Sequence, residues 1–237
     1  MLMATPGFHD VVAEDDQRVV GVNFVDLRSR IAGVGPIAID PKAQNKGLGR
    51  ALMHAVMETA VKQNAEGIRL VQAAYHNRSL CLYTRLGFQS REPLSVMQGS
   101  SLNIRFPGYD VRKATNTDAD MCNGLCQEVH GFDRSVELMG AIGQNTATVV
   151  ERQGQITGYA TMVGFFAHAV AETDQDLQAL IGAATAFPGP GFLLPTRNHE
   201  VFKWCLDNGL RLVMQMTLMT TGVYDEPAGA YLPSILY

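Results

Sequence analysis

Cysteine is scarce in this chain: four residues, Cys81, Cys122, Cys126 and Cys205, among 237. They do not form the disulfide framework of a small secreted domain, and the chain is long enough to bury on the order of 70% of its unfolded surface without staples. A reducing, cytoplasmic setting is therefore expected. Any uninterrupted apolar run of about 20 residues is missing too, and so is an N-terminal leader pattern, which argues against a membrane span and against secretion. No lysine- or arginine-rich tract is present, and the net charge of −4 leaves little to neutralise a phosphate backbone. Nucleic acid is not an expected partner.

What the chain does have is the stretch Asp40 to Ala51, DPKAQNKGLGRA. An apolar run, Gly35-Pro36-Ile37-Ala38-Ile39, leads into it, and an amphipathic run of helix formers follows from Leu48 to Ala65. The order reads as strand, glycine-rich turn, helix. The first N–H groups of such a helix lack intrahelical partners, and the helix dipole places partial positive charge beside them, so a phosphate is a natural occupant. Gly47 and Gly49 allow close backbone approach, while Gln44, Lys46 and Arg50 add donors or charge. A Walker loop would require Gly-Lys-Ser/Thr, and a dinucleotide fingerprint a third glycine with an acidic ribose ligand downstream. Neither is present. A glycine-rich loop alone is also an ordinary way to lead into a helix.

Further along lies a strand-like Ile68 to Ala73, then Asn77, a short helical run containing Leu82-Tyr83, and a closing Gly87-Phe88. With Gln44, Gly47 and Gly49 filling Gln/Arg-x-x-Gly-x-Gly/Ala, the two segments resemble, in order and separation, the signatures of the GNAT superfamily of N-acetyltransferases. The resemblance implies a mixed α/β (α+β) sheet and acetyl-CoA as cosubstrate, with no metal. The pantetheine arm would pair with the backbone of Ile37, Ala38 and Ile39, and the pyrophosphate would meet the N–H groups of Asn45, Lys46, Gly47, Leu48, Gly49 and Arg50. Asn77 would bond the pantetheine amide region, and Tyr83 would be the acid that protonates the departing thiolate.

The remainder resembles the same fold by the order of its elements. Residues 1–100 read as one GNAT-like unit, 101–110 as a linker, and 111–237 as a second, degenerate unit. The second is expected to run strand Val111–Ala114, helices to Val129 and from Val136 to Ile142, a hairpin Thr146–Glu151 and Gln155–Met162, helix Asp174–Phe187, strand Gly191–Pro195, helix His199–Asn208 and strand Arg211–Met219. Asp10–Glu14 and Arg18–Phe24 are the hairpin's counterpart in the first unit, so the opening strand and helices of that unit are expected to be missing. The second unit, a homodimer partner or an upstream segment could supply the lost cover. Where the first unit has its phosphate loop, the second has Glu172-Thr173-Asp174-Gln175-Asp176, whose carboxylates would repel phosphates. One coenzyme site is expected. The second unit is read either as a scaffold or as a lid or acceptor pocket.

Direct transfer of an acetyl group to an amine requires holding two reactants, polarising a carbonyl and moving two protons. A phenol near pKa 10 and a thiol near 8.5 differ by about 1.5 units, roughly 2 kcal/mol, so Tyr83 can serve as acid; its alternative is an ordinary core aromatic. A lysine amine, pKa about 10.4, costs roughly 4.6 kcal/mol to deprotonate at pH 7, and an α-amine near 7.8 about 1. Candidate bases are Asp26, Glu14 and His76, with His168 and Glu172 weaker. Cys122, Cys126 and His130, at i, i+4 and i+8, share a helix face without an evident fourth ligand, so buried side chains are expected there rather than zinc. The acceptor is a small-molecule or protein amine. The rival readings are a different acyl group and a non-catalytic coenzyme A sensor or interaction module.

Overall fold

The structure, a computed structural model, describes residues 6–236. The described chain opens with a hairpin of β1 (Phe8–Asp15) and β2 (Arg18–Asp26), whose turn residues Asp16 and Gln17 both take positive φ (48° and 63°), the twist that a two-residue hairpin requires. Next come β3 (Ile31–Val34), the two-residue β4 (Ala38–Ile39), α1 (Leu48–Lys62), β5 (Gly67–Ala73), α2 (Asn77–Arg85) and β6 (Gln89–Gln98). The second half supplies β7 (Tyr109–Lys113), α3 (Ala119–His130), α4 (Ser135–Gly143), β8 (Thr148–Arg152), β9 (Gln155–Ala160) and β10 (Ala169–Ala171). It ends with α5 (Asp174–Ala183), β11 (Phe192–Pro195), α6 (His199–Asp207), β12 (Arg211–Gly222) and β13 (Ala230–Leu232).

The larger sheet has the order β1-β2-β3-β5-β12-β6-β11, with β4 paired to β2 beside β3. The smaller runs β13-β10-β9-β8-β7. Among the described residues only β3 and β5 pair in parallel, and that pairing stops at Val34↔Leu70. Beyond Val34 the chain leaves β5, passes Gly35-Pro36-Ile37 without pairing as a strand, and rejoins β2 through Gly21↔Ile39 and Val22↔Ala38. The sheet is therefore split between β4 and β5. The strand expected across Gly35–Ile39 is reduced to its last two residues, since Pro36 has no N–H to donate.

A division of the chain at residue 100 does not divide the larger sheet. β12, from the far end of the sequence, lies between β5 and β6 and is antiparallel to both, and β11 closes the outer side of β6. The segment read as a linker is partly ordered: Tyr109 and Asp110 belong to β7. The helix expected through Phe187 stops at Ala183, and the one expected through Ala65 stops at Lys62. β3, β6, β10 and β13 lie outside the strands read from sequence.

Four buried clusters hold the layers. α1 sets Met53, Val56 and Ala60, spaced as one helical stripe, against Val25, Val34 and Leu70 of the larger sheet and against Phe88 in the turn before β6. On the other face of the same sheet Phe132, Ile235 and Leu236 cover Leu94, Val96 and Leu218. Gly33 is glycine because a Cβ there would stand 1.7 Å from the carbonyl oxygen of Leu236. Arg69 of β5, fully buried, is stacked between the rings of Phe132 and Tyr224 at 4.9 and 5.0 Å, a cation–π sandwich contributed by both halves. α5 and α6 pack between the sheets with Met97, Phe192 and Leu194, and α3 and α4 cover the smaller sheet with Cys122, Cys126, Leu125 and Leu138.

Candidate active site

The loop before α1 is built by backbone conformation. Asp40 accepts from the N–H of Lys42 (2.9 Å) to start a 3₁₀ turn at Pro41–Ala43, and it pairs with Arg18 at 2.6 Å. Asn45 (φ 66°) and Gly47 (φ 85°) then turn the chain through left-handed conformations into the helix. No side chain caps the start of α1, and a Cβ placed on Gly47 would have nothing within 4 Å. The first N–H groups of α1 thus face open space, in a left-handed turn that glycine adopts without strain.

α2 faces this loop. His76 caps it, its Nδ1 accepting from the N–H of Ser79 at 3.3 Å and lying 2.8 Å from Ser79 Oγ. At the other end Gly87 (φ 93°) and Phe88 close a Schellman turn: Gly87 N–H donates to Thr84 O (3.1 Å) and Phe88 N–H to Tyr83 O (3.0 Å). The Phe88 ring meets the Tyr83 ring edge-on at 6.2 Å. The closing Gly-Phe therefore fixes the tyrosine from its own carbonyl and its ring. Burial raises the Tyr83 phenol above the ordinary tyrosine range, and a hydrogen bond with Ser79 opposes that rise.

Between loop and helix lies a cleft of about 760 Å³. Ile37, Ile39, Gln44, Asn45, Gly47, Leu48, Gly49, Arg50, Asn77 and Tyr83 all line it, as the signatures imply. Ala38 and Lys46 do not; both side chains are exposed away from the cleft. Arg78 and Arg85, unremarked in the sequence reading, join Arg50 on its wall. They stand seven residues apart on α2, and that spacing on one helix face is the signal that identifies them. No Asp or Glu is among the lining residues, so three guanidinium groups and a free helix end share a site suited to a polyanion.

A second cavity of about 370 Å³ opens at the split in the sheet and shares Ile37, His76, Ser79 and Tyr83 with the cleft. Its far wall comes from the second half, through Phe165, Phe166, Met216 and Ile235. Tyr83 stands where the two spaces meet.

The candidate bases are dispersed. His76 lines both spaces. Asp26 is in an ion pair with Arg28 at 2.6 Å, Glu14 is exposed on β1, and Glu172 is bonded to Arg152 at 2.9 Å. His168 is fully buried, with Nε2 2.8 Å from Tyr159 Oη and Nδ1 3.0 Å from Glu137 Oε1. Burial drives its pKa down, and it touches neither cavity. Cys122, Cys126 and His130 are all buried, His130 against Tyr231 at 5.1 Å between ring centres; the described residues contain no group of three or more metal-ligating side chains.

The second half repeats parts of this geometry with different chemistry. α6 is capped by Asn198 and ends in the same turn, with Gly209 (φ 84°) and Leu210 N–H donating to Cys205 O at 3.0 Å. Cys205 thus holds the position of Tyr83. The start of α5 is closed by Thr173 and Asp176 in a capping box, and the fully buried Asp176 also accepts from Thr157 Oγ1 at 2.5 Å. In the smaller sheet β13 pairs with the edge of β10, whereas the larger sheet is split between β4 and β5.

Comparison with known proteins agrees with this layout. Residues 6–90 match the family model described as an acetyltransferase (GNAT) domain. A proposed acetyltransferase of Pyrococcus horikoshii superposes over 93% of this chain and 75% of its own with a TM-score of 0.75, at 15% identity. The UPF0157 protein YqkA of Bacillus subtilis (strain 168) is 30% identical over 96 residues, 40% of this chain; those cover about a quarter (27%) of that relative's length. A shorter likeness, over 38% of this chain and 57% of the other at 22% identity and a TM-score of 0.37, links it to the ribosomal-protein-S18-alanine N-acetyltransferase of Escherichia coli. Residues 6–90 thus match the GNAT domain model, and the chain as a whole shares the fold of the Pyrococcus horikoshii structure.

Proposed function

We propose that this protein is an acetyl-CoA-dependent N-acetyltransferase with one coenzyme site, formed by the α1 loop and α2. The observation that carries this reading is the uncapped start of α1 beneath Gly47, opening on a cleft that holds Arg50, Arg78 and Arg85 and no carboxylate. The coenzyme fits these residues. Its phosphates meet the N–H groups of residues 45 to 50 and the arginines, and its pantetheine arm enters the split beside Ile37 to Ile39, toward Tyr83. Acetyl-CoA supplies an activated thioester. The acceptor nitrogen forms a bond to the carbonyl carbon while the carbon–sulfur bond breaks; Tyr83 gives the departing sulfur its proton, and the acceptor nitrogen loses one to water or to His76. The second half is read as a degenerate copy of the unit, its own α5 site closed by Asp176 and its sheet edge by β13.

The test is calorimetric titration of the protein with acetyl-CoA and with CoA, beside a Gly47→Glu, Gly49→Glu double variant. One site per chain, lost in the variant, together with thiol release in the presence of an amine supports the reading. Binding without turnover toward a broad amine panel would leave a coenzyme sensor, and absence of binding to folded protein would overturn the site.

A further inference from the structure

Resting on the transferase reading, we infer that the 370 Å³ cavity between the halves is the acceptor site, and that it takes an α-amino amide of apolar or aromatic side chain, recognised by Gln72. The chemistry is that of an amino-acid amide or of a peptide N-terminus.

Gln72 carries the inference. It lies on β5 at 5% exposure, lines this cavity, and neither its Oε1 nor its Nε2 has a hydrogen-bond partner. An amide left in that condition is destabilising, so a core with no use for it favours leucine. Turned into the cavity, the Gln72 amide satisfies both atoms on a ligand carboxamide, whose carbonyl accepts from Nε2 and whose N–H donates to Oε1. Away from His76, Ser79 and Tyr83, which face the coenzyme cleft, the wall is apolar: Val71 from the first half, and Phe165, Phe166, Met216 and Ile235 from the second. Phe166 is 52% exposed, which gives the cavity an aromatic rim. Its volume suits a ligand of one or two residues, at the lower end of small-molecule sites.

Charge narrows the choice of amine. Among the described residues no Asp or Glu lines the cavity, so no carboxylate there offsets the cost of bringing in an ammonium ion. At pH 7 roughly one α-amine in seven is neutral (pKa about 7.8), against about one lysine-type amine in 2,500 (pKa about 10.4). The neutral nitrogen attacks, the carbon–nitrogen bond forms as the carbon–sulfur bond breaks, Tyr83 protonates the sulfur, and the nitrogen's extra proton leaves to water. No further reactant is required.

Thiol release from acetyl-CoA should be measured with phenylalaninamide, a Phe-Ala-Ala peptide, phenethylamine, Nα-acetyl-lysinamide and spermidine, with CoA binding followed by calorimetry. Phenylalaninamide should exceed the lysine-type amine and spermidine at least tenfold in kcat/KM; the peptide arm separates a peptide terminus from a free amide. In Gln72→Leu the preference for phenylalaninamide over phenethylamine should fall roughly tenfold to a hundredfold, because a site built to bond an amide loses its discrimination. The melting temperature of that variant should hold or rise, whereas a structural glutamine would lower it. Coenzyme binding with turnover that favours spermidine or the lysine-type amine, or with none of the five amines turned over, would overturn the acceptor assignment while leaving the coenzyme site standing. Failure to bind CoA at all would overturn the transferase reading beneath it.

Discussion

Tyr83 combines a protonated phenol with a position between two cavities, and both properties have measurable consequences. Because burial raises its pKa, the acid form persists through neutral pH and is lost only above about 10, so kcat should show no alkaline limb from this group between pH 6 and 9. Tyr83→Phe should reduce kcat roughly 10²-fold or more while the CoA dissociation constant changes far less. Equal losses in both would end its role as acid. The thiols offer an independent probe of the cleft. Cys122 and Cys205 are buried, with pKa values pushed up to about 12, Cys126 is buried and raised as well, and Cys81 is exposed on the cleft wall. Alkylation of the folded protein by iodoacetamide should mark Cys81 alone, and CoA should slow it; labelling at undiminished rate under saturating CoA would place the coenzyme elsewhere.

The closing turn of α2 is the element that joins sequence motif to chemistry. Gly87 holds φ 93°, and an added Cβ would meet no atom closer than 3.7 Å, so Gly87→Ala suffers from backbone conformation and not from crowding. A loss of about 1–2 kcal/mol in urea unfolding is expected, accompanied by a lower kcat as Tyr83 loses its anchor. Gly209→Ala, at the matching turn of α6, should give a similar stability loss with kcat much less affected. These turns, the phosphate loop and α1 were legible in sequence because each is specified within a dozen neighbouring residues. Arg78 and Arg85 were within reach on helix spacing. β6 was not: Pro93 interrupts it, and proline argues against a central strand, yet its carbonyl still accepts from Thr196 and its lost N–H falls near an irregularity in the β12 pairing. The three-residue β10 and β13 carry too few positions for a period to be read. The residues of the 370 Å³ cavity could not be picked out for a different reason, since Gln72 and Phe165 come to one space only through tertiary packing.

At the scale of the molecule, β12 makes the two halves one cooperative structure. A fragment ending at Ser100 would leave β5 and β6 with bare edges where β12 should lie, and Ile31, Leu94 and Val96 without Ile235 and Leu236. Such a fragment should aggregate or lack a cooperative unfolding transition, although it holds every described residue that lines the 760 Å³ cleft; a soluble, CoA-binding fragment would show the halves to be separable. The same interleaving governs how the protein is made. During synthesis β6 is complete at Gln98, but the strand that must slide between it and β5 ends at Gly222, about 120 residues later, or roughly 6–25 s at ordinary elongation rates. Throughout that interval the nascent chain carries a sheet with an open slot, so its yield depends on whatever keeps that slot unfilled by another chain until its own last long strand arrives.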